Sequence, residues 1–242
     1  MTETLHICWL SPESPPEAFP DATCALREPN GLLAAGGDLT TGRLLYAYRH
    51  GIFPWYGQDQ PLLWWSPDPR IVLFPNQMHI SRSLRRQLRR GKFTASFDQA
   101  FTDVMTACAG IRPQPSTSGT WITREMREAY TELHQLGYAH SMEIIMDGEL
   151  AGGLYGIALG NIFFGESMFS YRPNASKIAL ACLAKQLHAW GFGLIDCQVQ
   201  SEHLMRLGCT ALPRAEFLRM LRHYTCNPGR HGVWHLDVPL EF

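Results

Sequence analysis

Three observations in the sequence predict an α+β fold. Several stretches repeat apolar residues at helical spacing between recognisable caps. One region, "HSMEIIMDGELAGGLYGIALGNIFFGESMFS", holds two turn dipeptides, Asp147-Gly148 and Gly160-Asn161, between apolar runs, and reads as a three-stranded antiparallel meander. A long helix, "NASKIALACLAKQLHAWG", then leads into "GLIDCQVQ", which reads as one more buried strand. Helices, a meander, a helix and a strand in that order form an α+β domain.

The elements follow along the chain. Residues 11–31 are rich in Pro, Ser, Glu and Gly and read as an irregular surface segment. "TTGRLLYAYRHG" predicts a short helix stopped at Gly51. The aromatic, proline-rich stretch "GIFPWYGQDQPLLWWSPDPR" disfavours long regular structure. A domain boundary is placed near Asp68 to Arg70, giving a small N-terminal domain over 1–69 and a larger one over 70–242. "RIVLFP" predicts a strand, "SRSLRRQLRRGKF" a basic helix closed by Gly91, and "DQAFTDVMTACAG" another helix. "TREMREAYTELHQLG" predicts a third helix, with Thr123 as N-cap and Gly137 past its end. Asn174 is the expected N-cap of the long helix, and further helices are expected from Ser201 and from about Pro213.

Composition narrows the function. The chain has 242 residues, 45% hydrophobic and 18% charged, enough to fill a core. A net charge of −1 names no partner, so a nucleic-acid site must come from local patterning. The seven cysteines are scattered without a C-x-x-C pair, and the ten histidines form no H-E-x-x-H cluster, so no metal is expected. Reduced thiols in the cytoplasm are the simplest reading. The start of the chain lacks a signal-peptide pattern, and no apolar run approaches the roughly 20 residues of a membrane span.

Four stretches carry candidate chemistry. Six of the 21 Lys and Arg residues fall between Arg82 and Lys92, and Arg82, Arg86, Arg89 and Arg90 recur at helical spacing on one face. A solvated helix face is one reading. The absence of acidic neighbours favours a phosphate-binding patch. Trp55 and Trp121 lie at segment ends, where stacking on a base is plausible, whereas Trp64 and Trp65 read as packing residues. Glu166 interrupts the apolar strand "NIFFGESMFS", either at a water-facing edge or in a pocket near Phe163 and Met168. Asp196 and Gln198 stand two apart in a strand and so share a face. They form either a structural hydrogen-bonded pair or part of a site, because a lone buried charge is costly.

Taken together, "FPDATCALREPNGLLAAGGDLTTGRLLYAYRHGIFPWY", "LLWWSPDPR", "HISRSLRR", "GTWIT", "GGLYG", "GESMFS", "NASK" and "LIDCQVQ" resemble the leucyl/phenylalanyl-tRNA–protein transferases. The resemblance runs in order from about Phe19 to Pro213. It implies a bacterial cytoplasmic enzyme with a GNAT-like (N-acetyltransferase-like) domain behind a small N-terminal domain. Such an enzyme moves Leu, Phe and less well Met from aminoacyl-tRNA to proteins with N-terminal Arg or Lys, marking them for degradation by the N-end rule. The acetyl-CoA loop Q/R-x-x-G-x-G/A is missing, which disfavours an acetyl-CoA-dependent N-acetyltransferase. A non-catalytic RNA-binding module would explain the basic helix but not the strand carboxylates. By this resemblance Asp196 and Gln198 match a catalytic pair and Glu166 a pocket carboxylate. Trp55, Trp121, Phe163, Met168, Leu154 and Leu183 fall in the donor pocket, and Arg82, Arg86, Arg89 and Arg90 at tRNA-binding positions. Leu183 aligns by ungapped counting with a Phe, so the pocket's shape departs from the pattern. The partners implied are Leu-tRNA, Phe-tRNA, Met-tRNA and the acceptor proteins. No cofactor, metal or membrane is called for, and a monomer is expected. The expected mechanism has Asp196 accept from the Gln198 side-chain NH₂, so that the Gln198 carbonyl aims the attacking amine, while Glu166 supplies negative charge for a cationic acceptor.

Overall fold

The computed structural model describes residues 7–110, 122–240 and 242. A small four-stranded sheet comes first. Its strands are β1 (Cys8–Leu10), β2 (Leu32–Gly36), β3 (Phe53–Pro54) and β4 (Leu63–Trp65), in spatial order β1-β2-β4-β3, with helix α1 (Thr41–Arg49) between β2 and β3. The proline-rich stretch thus holds two short strands, which suits its composition. Trp64 is fully buried at their centre, and its Nε1–H donates to the Gly36 carbonyl at 2.9 Å.

The rest of the chain builds a seven-stranded mixed sheet. In chain order its elements are β5 (Arg70–Leu73), α2 (Arg82–Arg90), β6 (Thr94–Phe97), α3 (Phe101–Gly110), α4 (Arg124–Gln135), β7 (Ala139–Met146), β8 (Glu149–Leu159) and β9 (Ile162–Ser170). There follow α5 (Ala175–Ala189), β10 (Leu194–Gln198), α6 (Glu202–Arg206), β11 (Thr210–Leu212) and α7 (Arg214–Thr225). The strand order is β11-β5-β10-β9-β8-β7-β6, and only β9 and β10 run parallel. This is the expected α+β class, and the expected meander is β7–β9. The edge strands β6 and β11 were not foreseen, being too short to show a period.

Caps explain the helix ends. Ser81 Oγ accepts from the Leu84 N–H at 3.3 Å, and Gly91 closes α2 at φ +60°, where a side chain would be strained. Thr123 Oγ1 caps α4 by accepting from the Met126 N–H at 3.3 Å. Asn174 stands at the start of α5, but its side chain makes no cap bond there and instead donates to Gln87 Oε1 at 2.7 Å. Its left-handed φ of +64° turns the amide away from the helix.

The large sheet is covered on both faces, so its central strands read as continuous apolar runs. Alternation along them divides two cores. Val72, Ile162, Phe164 and Leu194 face α1, α3, α4 and α7, while Ile71, Leu73, Phe163 and Ile195 face α2 and α5. Helix α5 is apolar almost all round, because it lies between the sheet and α2. Beyond α7 the tail returns to this second core, where Trp234 is fully buried and stacks on His140 with ring centres 3.7 Å apart. Among the described residues no helix is long and apolar enough to cross a membrane.

Candidate active site

Pairing between the parallel strands β9 and β10 runs from Ile162–Leu194 to Phe164–Asp196 and then stops. Beyond that point a cavity of about 500 Å³ opens. Leu154, Phe163, Met168, Leu180 and Leu183 make an apolar wall, Trp55 and Pro54 contribute from the small sheet, and Glu166 and Gln198 bring polar groups. Gly156 keeps the wall in place, because a Cβ there would fall 2.5 Å from the Phe163 ring.

The structure therefore gathers Trp55, Leu154, Phe163, Glu166, Met168, Leu183 and Gln198 around one cavity. Trp121 lies outside the described residues. Glu166 is on a central strand, which excludes the water-facing edge position. Arg82, Arg86, Arg89 and Arg90 are exposed together on α2, with Arg85 joining them, while Leu84 and Leu88 anchor the opposite face in the core. Of these, Arg89 Nε donates to the Phe242 carbonyl at 2.8 Å.

One expectation fails. The side chains of Asp196 and Gln198 do not pair, and Asp196 does not line the cavity. The register slips by one residue between them against β5, a β-bulge, and Gln198 takes a left-handed φ of +58°. The bulge breaks the alternation on which a shared face depends. Asp196 is fully buried behind the wall, facing Arg70 at the head of β5. Arg70 Nε donates to Oδ1 at 2.9 Å and Nη2 to Oδ2 at 2.7 Å, a bidentate pair. The Arg70 guanidinium also donates through Nη1 to the Gly51 carbonyl at 3.1 Å, and lies between the Phe53 and Phe217 rings at 4.8 and 4.6 Å. The one link from Asp196 to its neighbour is through the backbone, where Oδ1 accepts from the Gln198 N–H at 3.0 Å. That bond holds the bulge, and the bulge turns the Gln198 side chain into the cavity.

There Gln198 Nε2 donates to Glu166 Oε1 at 3.3 Å. Glu166 is the hub of the polar end. Tyr48 of α1 donates to Oε1 at 2.8 Å, Tyr130 of α4 donates to Oε2 at 3.1 Å, and the two tyrosine hydroxyls also meet each other. Burial pushes the Glu166 carboxyl up to about 7, against the lowering effect of the two tyrosine hydrogen bonds. At neutral pH the carboxyl is therefore shared between its charged and its protonated form. Burial and the nearby Glu166 carboxylate push Tyr48 and Tyr130 well above the usual phenol range, so both stay neutral donors.

Arg70, Tyr48 and Tyr130 were not identified from the sequence. An Arg heading the buried run "RIVL" is itself a signal, since a buried guanidinium needs a carboxylate on a neighbouring strand. The tyrosines sit in ordinary amphipathic helices and carry no comparable mark.

Comparison with known proteins identifies the family. The family model for the leucyl/phenylalanyl-tRNA protein transferase covers residues 72–222, and that for the N-terminal domain of the same family covers 37–68. A leucyl/phenylalanyl-tRNA–protein transferase of Pseudomonas fluorescens is 54% identical over 94% of this chain and 99% of its own. One from Azotobacter vinelandii is 55% identical over 92% of each chain. Among solved structures, a GCN5-related N-acetyltransferase from Kribbella flavida superposes over 72% of this chain and 61% of its own, at 14% identity and a TM-score of 0.37, too loose to carry an argument about the site. On the sequence matches, which span nearly the whole chain, the protein belongs to the leucyl/phenylalanyl-tRNA–protein transferase family.

Proposed function

We propose that the protein transfers Leu, Phe and less readily Met from aminoacyl-tRNA to the α-amine of proteins beginning with Arg or Lys, acting in the cytoplasm as a monomer and without a cofactor. The observation that carries this reading is the two-ended cavity between β9 and β10, apolar at Leu154, Phe163, Met168 and Leu183 and polar at Glu166 and Gln198. The apolar end suits a donor side chain, aliphatic or aromatic, that is not branched at Cβ. The polar end suits an incoming amine. The product is a protein marked for degradation by the N-end rule.

The donor ester is already activated, and the α-amine has an ordinary pKa of about 7.7–8.0. The main requirement is to hold amine and carbonyl at reacting distance, worth up to about 7–11 kcal/mol. In this reading the Gln198 amide orients the acceptor, and Asp196 acts one step back. Locked by Arg70, Asp196 holds the bulge through the Gln198 N–H and touches no substrate. Trp55, at the rim, and Trp121 stack the terminal adenosine. The exposed arginines of α2 bind tRNA phosphates.

The test is to incubate the protein with radiolabelled Leu-tRNA and a protein beginning with Arg. Label in acid- and heat-stable protein supports the reading. Binding of tRNA without transfer would instead mark an RNA-binding module, and acetylation from acetyl-CoA would mark an acetyltransferase.

A further inference from the structure

The polar end of the cavity contains a closed ring of three oxygen contacts. Tyr48 meets Tyr130, Tyr48 meets Glu166 Oε1 at 2.8 Å, and Tyr130 meets Glu166 Oε2 at 3.1 Å. Each contact needs one hydrogen. The two phenols supply two. With Glu166 ionised, one of the three contacts has no hydrogen, and two oxygens face each other with lone pairs. With a proton on Glu166, three hydrogens fill three contacts. The ring therefore has a place for one proton, and it borders the cavity.

We propose that Glu166, held by Tyr48 and Tyr130, is the proton carrier of the transfer reaction. As the amine attacks, the C–N bond forms, and the Glu166 carboxylate takes the proton leaving nitrogen. As the bond from the aminoacyl carbon to the ribose oxygen breaks, the same proton passes to that oxygen. No proton is gained or lost overall, and no other reagent is needed. Asp196 cannot do this, because Arg70 occupies both of its oxygens and neither is open to the cavity. A neutral Gln198 amide is too weak a base. This assignment rests on the transferase reading above.

The surroundings suit the task. Besides Tyr48 and Tyr130, Glu166 faces Tyr155 of β8, Gln198 and Asp196 of β10, and Arg70 of β5. Among the described residues the buried Tyr155 hydroxyl has no hydrogen-bond partner, so it does not compete for the ring's hydrogens. Desolvation brings the carboxyl to about 7, where giving and taking a proton are nearly balanced at cellular pH.

The experiment is the pH dependence of kcat/KM for wild type, Glu166→Gln, Tyr48→Phe and Tyr130→Phe, using Leu-tRNA and an Arg-initiated peptide. Wild type should show a limb rising through about pH 7. Glu166→Gln should lose roughly 10²- to 10⁴-fold and keep only the limb of the acceptor amine. Tyr48→Phe and Tyr130→Phe each open the ring, so their limbs should leave the wild-type position. An identical limb in all four proteins would assign it to the amine alone and overturn the proposal. Infrared titration of the unliganded proteins gives a readout free of turnover. A carboxylic C=O band that disappears on raising pH through about 7, and is absent from Glu166→Gln, is expected. Its absence from wild type would also overturn the proposal. No transfer by wild type at any pH would instead bring down the transferase reading.

Discussion

Glu166 and Asp196 stand on neighbouring parallel strands, yet they live in opposite environments. Asp196 faces a guanidinium that fills both its oxygens and is itself held by a carbonyl and two aromatic rings. Among the described residues Glu166 meets only neutral donors at hydrogen-bond distance, two phenols and an amide, beside a cavity. A carboxylate with a fixed cation in a dry core is a structural strut, since removing either partner strands a buried charge. A carboxylate with neutral donors at the edge of a pocket keeps the freedom to titrate. The comparison teaches why the proposed chemistry falls to the strand with the less protected charge.

The contrast can be broken by variants. The largest effect is expected at the strut. Arg70→Met leaves Asp196 buried without its cation and should cost about 3–5 kcal/mol in chemical denaturation. Adding Asp196→Leu should restore most of that stability. A small loss for Arg70→Met would show that water reaches Asp196 and would weaken the contrast.

Glu166→Gln should behave in the opposite way. The folded carboxyl titrates near 7, above its ordinary 4.5. The folded state therefore holds the proton more tightly than the unfolded chain, and this contribution is full below about pH 4.5 and lost as pH rises through 7. Glu166→Gln should match wild type near pH 5 and exceed it at pH 8, by on the order of 1–3 kcal/mol. Melting curves at the two pH values check this.

Gln198→Gly sharpens the separation of stability from activity. Glycine relieves the left-handed backbone at Gln198, so stability should hold or rise by up to ~1 kcal/mol, while transfer falls. Equal transfer with glycine would remove Gln198 from the site. Arg86→Ala should raise the KM for aminoacyl-tRNA and lower its salt slope by about one ion. Transfer from a minimal aminoacyl-adenosine should barely change.

The smallest effect is expected at Leu183, which is buried in the apolar wall. Leu183→Phe narrows the cavity and should lower the Phe-to-Leu ratio of kcat/KM, within the ~1–3 kcal/mol typical of an apolar pocket. An unchanged ratio would remove Leu183 from donor selection.

Much of this was legible in the chain. Caps and turn dipeptides located the helices and the meander, because those signals are local. Glu166 and Gln198 were legible as polar residues in apolar strands. The partner of Asp196 was not, because the bulge after it depends on β5, more than a hundred residues earlier, and one slipped residue reverses a strand's faces. The tyrosines were hidden for a similar reason. Only the packing of α1 and α4 over β9 turns two helix-face phenols toward one carboxylate.

The most direct test of the central claim is to find where the transferred residue goes. After reaction of wild type with radiolabelled Leu-tRNA and an Arg-initiated protein, stepwise N-terminal degradation should release labelled Leu in the first cycle and Arg in the second. Label that stays with the chain through those cycles, as on lysine side chains, or no label in protein at all, would contradict the account.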